Sequence, residues 1–172
     1  MAITTTSTPE WSLRPGRSAD VEPIAELRAE VMRADLVRLG RYDEHRVRRR
    51  LRETFSTRYT RVVEVDGALA GCVTVRPDGP TAEPGEPAEP GARLLEHFYL
   101  AAAHQGRGLG TAVLRHVLAE ADAARAAVRL VVLQGSAARR LYERHGFTVE
   151  GQDPVDVFMI RPAAGRPGGP GR

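Results

Sequence analysis

The sequence predicts a single α/β domain with a mixed central sheet of six to seven strands, flanked by about four helices. Apolar residues recur at two-residue spacing in short β-branched runs and at helical spacing in longer segments. The predicted order is β-α-α-β-β-β-α-β-α-β-β, which combines hairpins with β-α-β crossovers and so requires both antiparallel and parallel pairing. A length of 172 residues and a hydrophobic fraction of 42% suit one core.

The first half of the chain predicts a strand, two helices and a hairpin. Apolar residues recur at helical spacing after Asp20, and Gly40 is a typical helix stop. Asp43 is placed to cap a second helix, in which an apolar stripe is surrounded by arginines. The predicted elements are strands over 11–14, 60–65 and 68–75, a helix after Asp20 to about Leu39, and a helix from Asp43 to about Phe55.

The second half predicts the crossover connections and the last strands. Residues 129–133 are so apolar that we expect an internal strand buried on both faces. Ser136 is placed to cap the helix that follows, and Gly146 is placed to end it. The predicted elements are strands over 93–100, 129–133, 148–150 and 155–160, and helices from about 108 to 124 and from 136 to about 144.

Three segments have the composition of flexible chain. They are residues 1–10, rich in Thr and Ser, residues 77–91, which contain five prolines, and residues 162–172, rich in Gly, Pro and Arg. The prediction is therefore one domain over 11–161, interrupted by a flexible surface loop at 77–91. A flexible N-terminus and a disordered tail flank it.

Charge and cysteine content narrow the function classes. The net charge is only +3, and all 25 cationic side chains are arginine, so general nucleic-acid binding is not indicated. The arginine run at 46–52 lacks interleaved aromatic residues and is typical of a solvated helix face. No apolar run approaches a membrane span, and the first ten residues lack the apolar core of a signal peptide. With Cys72 as the single cysteine, we expect a cytoplasmic protein without nucleic-acid or membrane partners.

A glycine-rich turn between a predicted strand and a predicted helix carries the strongest chemical signal. Residues 105–111 read Gln-Gly-Arg-Gly-Leu-Gly-Thr. Glycines let the backbone approach a ligand closely, and a helix N-terminus offers free N–H groups, so this turn suits a phosphate or pyrophosphate. A P-loop needs a lysine, which the chain lacks, and the dinucleotide motif needs a different spacing of the third glycine. A tight turn without a ligand is the alternative, although three glycines within five residues are hard to explain by packing.

The spacing Gln105-x-x-Gly108-x-Gly110 resembles the acetyl-coenzyme A signature of the GNAT-type N-acetyltransferases. Residues 138–147 resemble that family's second motif, Ala-x-x-Leu-Tyr-x-x-x-Gly-Phe, which ends the helix after the fifth strand. The order and separation of the two motifs match the family, as does the predicted element order over residues 11–160. The resemblance implies a mostly antiparallel GNAT-like sheet, acetyl-CoA as co-substrate, no metal, and transfer of an acetyl group to a primary amine.

The resemblance also implies which residues hold acetyl-CoA. The glycine turn would bind the pyrophosphate, while the end of the fourth strand would pair with the pantetheine amides and supply an oxyanion donor. Gly135 stands where the family often has asparagine, and Ser136 beside it is expected to substitute. The implied cofactor-binding residues are Phe98, Tyr99, Leu100, Gln105, Gly106, Arg107, Gly108, Leu109, Gly110, Thr111, Ser136 and Tyr142.

Enzymes of this family transfer the acetyl group by direct attack of the amine on the thioester, without a covalent enzyme intermediate. The departing thiolate then needs a proton donor. Tyr142 matches the family tyrosine near the sulfur and is the implied acid, with an aromatic packing anchor as the alternative. Cys72, within an apolar strand, is expected to be a small core residue.

Direct attack also needs a base that deprotonates the amine. The two-residue periodicity of the fourth strand puts Glu96 on one face with Leu94, Phe98 and Leu100. A carboxylate among such apolar neighbours is the candidate base, acting through water. The alternative is a structural partner for an arginine of the first two helices. His97, expected on the opposite face, is the reserve.

The acceptor site is the least determined part. In this family the first two helices and the late hairpin shape it. Asp35, Arg38, Tyr42 and Glu96 are weak candidates for binding the acceptor. A small-molecule amine is favoured over a protein amine. An acyl-CoA-binding sensor or interaction module without turnover is the alternative function, and the oligomeric state is open, with a homodimer included.

Overall fold

The computed structural model of the chain describes residues 10–79 and 91–165. Within them, seven strands form one mixed sheet in the order β1-β2-β3-β4-β5-β7-β6, accompanied by four α-helices, which confirms the predicted fold class. The strands are β1 (Trp11–Pro15), β2 (Thr60–Val65), β3 (Ala68–Pro77), β4 (Arg93–Leu100), β5 (Val128–Leu133), β6 (Thr148–Gln152) and β7 (Asp156–Arg161). The helices are α1 (Val21–Arg38), α2 (Glu44–Thr54), α3 (Leu109–Ala123) and α4 (Ala138–Arg144), with short 3-10 segments at Ser18–Asp20 and Ala102–His104.

Most of the residues predicted to be flexible lie outside the described part of the chain, at 1–9, 80–90 and 166–172. The described residues correct one boundary of the predicted loop at 77–91. Strand β3 continues to Pro77, which pairs with Arg93 of β4, so the connection begins one residue later than expected.

The sheet separates two apolar clusters. One is formed with α3 and α4 and includes Val113 and Val117, whose side chains are essentially inaccessible. The other is formed with α1 and α2 and includes Ile24 and Leu51, which are fully buried. Burial of one such side chain contributes about 1.5–3 kcal/mol, so the two clusters hold the helices against the sheet.

The first two helices end and begin as the sequence predicts. Gly40, just after α1, has a φ of 67°, a left-handed conformation that glycine adopts at little cost. The carboxylate of Asp43 accepts hydrogen bonds from the backbone N–H groups of His45 (3.0 Å) and Arg46 (2.8 Å), which caps α2.

Strands β4 and β5 form a parallel pair that is very short. Their pairing comprises Arg93 with Val128 and Leu94 with Arg129, and beyond Leu94 the two strands separate. The prediction that the β5 strand is buried on both faces is wrong for this reason: Val131 is 50% exposed. The separation of the strands opens a gap in the middle of the sheet.

Strand β4 contains a bulge at His97, whose φ of 49° is unusual for a residue other than glycine. The pairing with β3 joins Cys72 to Tyr99 and Thr74 to Glu96, so the step of two residues on β3 is matched by three residues on β4. Because Cys72 and Thr74 share a face of the sheet, Glu96 and Tyr99 share that face as well.

The bulge corrects two predictions about β4. Phe98 and Leu100 pack against the cluster on the α3 side of the sheet, whereas Glu96 lies on the α1 side, so the prediction that they share a face is wrong. The prediction that His97 points to the opposite face is also wrong, because its ring bonds to the hydroxyl of Tyr99 on the side of Glu96. An extra residue reverses the alternation on which both predictions depended.

Candidate active site

A cleft of about 990 Å³ opens where β4 and β5 separate. Its walls come from α1, the start of α2, the separated parts of β4 and β5, the start of α4, and the turn between β6 and β7. The lining contains apolar side chains such as Val131 and Phe158 together with arginines and carboxylates. A concave site of this size with a few polar groups is typical of small-molecule binding.

The predicted glycine turn lies directly before α3. Gly106 and Gly108 have φ values of 72° and 82°, and Gly108 is the residue that caps α3. The first intrahelical bond runs from the N–H of Ala112 to the carbonyl of Gly108. The N–H groups of residues 109–111 precede that bond and are free for a ligand, as at the start of any helix. This arrangement fits a phosphate or pyrophosphate group.

The side chain of Gln105 closes this turn. Its Nε2 donates a hydrogen bond to the backbone carbonyl of Leu100 at 2.8 Å, which ties the turn to the end of β4. Arg107 is exposed beside the turn and adds positive charge there. Gln105 therefore shapes the turn, while its neighbours offer the backbone groups.

The edge of β4 that faces β5 offers unpaired backbone groups. The N–H of Ala101 donates to the carbonyl of Ala70 at 2.8 Å, toward β3. Because successive residues of a strand present their backbone groups to alternate edges, Leu100 and Phe98 present theirs toward the cleft. Tyr99 presents its backbone groups to β3, while its side chain lies on the α1 side of the sheet and lines the cleft, so its part in coenzyme binding stays a prediction.

Glu96 lines the cleft. The prediction that apolar side chains surround it is wrong, because an arginine lies beside it. Its Oε1 accepts a hydrogen bond from Nε of Arg76 at 2.8 Å, and the carboxylate is about one-quarter exposed. The ion pair fixes one carboxylate oxygen, and the second oxygen is left available to a ligand or a water molecule.

His97 is held in a hydrogen-bonded chain. The hydroxyl of Thr54 donates to the carbonyl of Arg50 at 2.6 Å, so Nε2 of His97 must donate to that hydroxyl (2.9 Å). Nδ1 then accepts from the hydroxyl of Tyr99 (3.1 Å), which itself accepts a hydrogen bond from Arg28. Burial lowers the pKa of His97 to about 4. Both ring nitrogens are engaged, so His97 is a structural residue here and its prediction as the reserve base is not supported by this geometry.

Tyr142, on α4, lies at the boundary between the core and the cleft. Its ring packs edge-on against Phe147 with centroids 5.7 Å apart, and the residue is 8% exposed. Burial raises the pKa of Tyr142 above its ordinary value, so the hydroxyl carries its proton at neutral pH. Ser136 also lines the cleft, and its hydroxyl accepts the N–H of Ala138 at 3.3 Å.

Cys72 is fully buried, as the sequence analysis expects of a core residue. Its thiol donates to the carbonyl of His97 at 3.0 Å. Burial raises the pKa of Cys72 to about 12, which keeps the thiol protonated and unreactive as a nucleophile.

The weak acceptor candidates separate in space. Asp35 lines the cleft and accepts a hydrogen bond from Arg38 (2.9 Å), whose guanidinium also donates to the carbonyl of Gln134 (2.6 Å). Gly135 makes room for this bridge, since a Cβ there would lie 2.8 Å from Nη1 of Arg38. Tyr42 is stacked by another arginine of α1 and lies between two residues that line the cleft, Arg41 and Asp43, so its part in acceptor binding stays a prediction.

Residues 24–147, most of the chain, match the model of the acetyltransferase (GNAT) family. The chain belongs to the GNAT acetyltransferase family. Enzymes of this family take their acyl group from acetyl-CoA, which is therefore the co-substrate. Among curated proteins, no sequence matches this chain.

Solved structures share the fold of this GNAT acetyltransferase. PaiA N-acetyltransferase from Thermoplasma acidophilum, in complex with coenzyme A, has a TM-score of 0.67 at 19% identity, over 89% of this chain and 99% of that one. An acetyltransferase from Thermus thermophilus has a TM-score of 0.66 at 20% identity, over 90% and 98%. The ribosomal-protein-S18-alanine N-acetyltransferase from Escherichia coli has a TM-score of 0.65 at 16% identity, over 92% and 97%.

Sequence reasoning missed much of the charge that this GNAT acetyltransferase places in its cleft. Arg28, Arg41, Arg46, Arg50 and Arg76 all line it. Arg28 had a readable signal, because it follows Ile24 by four residues on the apolar face of α1. The arginines of α2 have two different roles. Arg48 and Arg52 form ion pairs with glutamates of α1, which agrees with the prediction of a solvated helix face. Arg46 and Arg50 instead line the cleft.

Two negative findings concern the described residues alone. Across 10–79 and 91–165, no helix combines the length and apolarity that crossing a membrane requires. In the same part of the chain, no cluster of three or more His, Cys, Asp or Glu side chains is arranged to hold a metal ion.

Proposed function

We propose that this GNAT acetyltransferase moves an acetyl group from acetyl-CoA to the primary amine of a small molecule by direct attack. The observation that carries this proposal is the gap between β4 and β5. The cleft in this gap contains a carboxylate, Glu96, and a protonated phenol, Tyr142, and Gln105 ties the helix N-terminus with its free N–H groups to the end of β4.

The proposed site divides into two halves. The coenzyme half comprises the free edge of β4 at 98–100, Ser136 and Tyr142, together with the glycine turn at 105–111, which lies outside the cleft wall and is tied to the end of β4 by Gln105. The acceptor half comprises the cleft-lining parts of α1 and α2, Glu96 with Arg76, and the turn at 153–156.

In the coenzyme half, the N–H groups of residues 109–111 and the charge of Arg107 would hold the pyrophosphate. The backbone groups of Phe98 and the N–H of Leu100, whose carbonyl already accepts from Gln105, would pair with the amides of the pantetheine arm as a further strand would. Their N–H groups are also the available donors for the oxyanion that forms at the thioester carbonyl.

Glu96 is the proposed proton acceptor for the amine. Its ion pair with Arg76 orients the carboxylate through one oxygen, and the residue lines the cleft. An amine with an ordinary pKa of ~10 is protonated at neutral pH and must lose that proton before attack. Glu96 would take it, directly or through one water molecule.

Tyr142 is the proposed proton donor to the departing thiolate. A phenol still carries its proton at a pH where a thiol of pKa about 8.5 has ionised, so Tyr142 is able to donate a hydrogen bond to the developing thiolate during breakdown of the adduct. Because the phenol is the weaker acid, full transfer of the proton to sulfur is uphill, and the tyrosinate that forms must be reprotonated from solvent. Cys72 is buried and stays protonated, which supports direct attack over a covalent route.

A small acceptor is supported by the dimensions of the cleft. Ligand sites for small molecules span about 300–1,000 Å³, and this cleft of about 990 Å³ also has to admit the pantetheine arm. Arg38 links α1 to Gln134 after β5, which holds together two elements that contribute to the walls of the cleft. A protein chain would need a more open groove.

The test is a panel of amines incubated with acetyl-CoA, with free thiol release followed over time. The panel contains amino acids, diamines, amino sugars and a lysine-containing peptide. Amine-dependent thiol release, with the acetylated amine identified by mass spectrometry, is the expected result. Binding of acetyl-CoA without release for any amine would instead support a sensor or binding module.

A further inference from the structure

A buried arginine without a carboxylate partner lines the acceptor half. Arg28 is only 8% exposed, and it lies on α1. Its Nε donates to the carbonyl of Val47 at 2.9 Å, and its Nη1 donates to the hydroxyl of Tyr99. Within residues 10–79 and 91–165, no carboxylate lies within 4.0 Å of its guanidinium nitrogens.

A buried guanidinium in this setting is unusual, because buried charges are normally paired with an opposite charge. A guanidinium has five N–H donors, and the two bonds above use only two of them. In the described part of the chain, no buried side-chain nitrogen or oxygen lacks a hydrogen-bond partner. Nη2 of Arg28 takes part in neither bond, so it must be accessible to solvent rather than buried. The accessible surface that Arg28 lines is the cleft.

The surroundings of Arg28 leave positive charge uncompensated on the helical wall. Arg50 of α2 lines the same cleft, is exposed, and makes no ion pair with a described residue. Four carboxylates of the cleft are engaged elsewhere: Glu96 with Arg76, Asp35 with Arg38, and Asp43 and Asp153 with backbone N–H groups. Asp156 also lines the cleft and lies within the electrostatic reach of Arg50, but it makes no ion pair with Arg28 or Arg50.

We propose that the acceptor amine also carries a carboxylate, and that Arg28 binds it with support from Arg50. The inference rests on the proposed function and names its substrate class, an amino acid or a similar amino-carboxylate. Arginine is suited to this task because its planar fork matches two carboxylate oxygens. Glu96 and Tyr99, which contacts Arg28, lie on the same face of β4, and both Glu96 and Arg28 line the one cleft that the zwitterion would occupy. A diamine would bring a second cation to Arg28 and is disfavoured.

The experiment compares each amino acid with its carboxamide, which keeps the amine but removes the negative charge. Putrescine and spermidine are included as amines without a carboxylate. Thiol release from acetyl-CoA is measured for wild type, Arg28→Gln, Arg50→Gln and Arg49→Gln. Arg49 lies on α2 outside the cleft wall, so Arg49→Gln controls for loss of charge on that helix.

The proposal predicts that the best amino acid exceeds its carboxamide at least tenfold in kcat/KM with wild type. Arg28→Gln should lower kcat/KM for the amino acid about 10- to 100-fold, mainly through KM, with less than a threefold change for the carboxamide. Arg50→Gln should reduce the same ratio by a smaller factor, and Arg49→Gln should leave it unchanged. If Arg28→Gln does not fold, the test rests on the wild-type ratio of kcat/KM for the amino acid to that for its carboxamide, and on the change of this ratio in Arg50→Gln.

Equal or better turnover of the carboxamides or diamines by wild type would overturn this inference while leaving the proposed acetyl transfer intact. Absence of turnover with every amine, despite binding of acetyl-CoA, would contradict both. The two failures are therefore distinguishable in one set of assays.

Discussion

The two halves of the proposed site are built from different parts of the chain. The coenzyme half depends mainly on backbone groups at the glycine turn and the free edge of β4, which lie together within residues 98–111, and only Ser136 and Tyr142 come from later in the chain. The acceptor half depends on side chains from α1, α2, β3, β4 and the β6–β7 turn. A backbone-built site tolerates most side-chain changes unless they add bulk or charge, whereas a side-chain-built site changes specificity with single substitutions.

The largest effect is expected where the two halves meet. Glu96→Gln removes the proton acceptor and should lower kcat/KM on the order of 1,000-fold at pH 7, within the usual range for general bases. The loss should shrink toward high pH, because more of the amine then arrives deprotonated. Rates measured from pH 6.5 to 10 test this.

The control for this variant is Glu120→Gln. Glu120 is also paired with an arginine, Arg61 at 2.7 Å, but lies on α3 away from the cleft. It should retain wild-type rates. A Glu96→Gln enzyme with wild-type rates across the pH range would remove Glu96 from the mechanism.

The next effect concerns Tyr142. Tyr142→Phe keeps the ring that packs on Phe147 but removes the hydroxyl, and should lower kcat on the order of 100-fold. Because the defect lies in protonation of the thiolate, it should recover less at high pH than that of Glu96→Gln. Tyr59→Phe, outside the cleft, is the control. Similar pH recovery for Tyr142→Phe and Glu96→Gln would show that their roles are not separate.

A charge placed in the glycine turn should weaken coenzyme binding selectively. Asparagine and aspartate both tolerate the left-handed backbone of Gly108 and both cap helices, so the pair differs mainly in charge. Gly108→Asp should raise the Kd for coenzyme A about tenfold or more relative to Gly108→Asn, as repulsion of phosphate requires. Isothermal titration calorimetry measures both. Equal Kd values would remove the pyrophosphate from this turn.

The smallest effect concerns the buried chain around His97. The pKa of this residue is about 4 in the folded protein and ~6.5 when unfolded, so the unfolded state binds the proton first as pH falls. Its stabilisation is fully present above pH 6.5 and is lost as pH falls toward 4.

Replacement of His97 should therefore flatten this pH dependence. Between pH 7 and pH 5, wild type should lose about 1–2 kcal/mol more unfolding free energy than His97→Asn. Asparagine is chosen because it tolerates the positive φ at this position. Urea unfolding at both pH values provides the measurement, and His45→Asn on the exposed start of α2 is the control. A parallel loss in wild type and His97→Asn would show that His97 titrates normally.

The same contrast explains what the sequence could predict. The glycine turn is seven consecutive residues with a specific spacing, so its place before α3 was readable. The order of helices and strands along the chain could be predicted for a similar reason, since hydrophobic periodicity and Asp66-Gly67 are local signals. Sites built from neighbouring residues of the chain leave such signals.

Long-range features left weaker signals. The predicted alternation of side chains along β4 is wrong from His97 onward, because a bulge depends on how β4 pairs with β3. A histidine at position 97 is not by itself a sequence signal for a bulge. The run 129–133 suggested full burial because an apolar strand beside an open cleft has the same composition as one inside a core. The sequence shows Arg28 only as a charged residue on the apolar face of a predicted helix. The structure shows that it is buried and lines the cleft.

The central claim is direct transfer between two substrates held together in one cleft. The most direct test is the initial rate of thiol release measured over a grid of acetyl-CoA and amine concentrations. Transfer within one ternary complex predicts reciprocal plots whose lines intersect, and no acetylated protein after incubation with acetyl-CoA alone. Parallel lines, with an acetyl group found on the enzyme by mass spectrometry, would contradict the account and require a covalent intermediate.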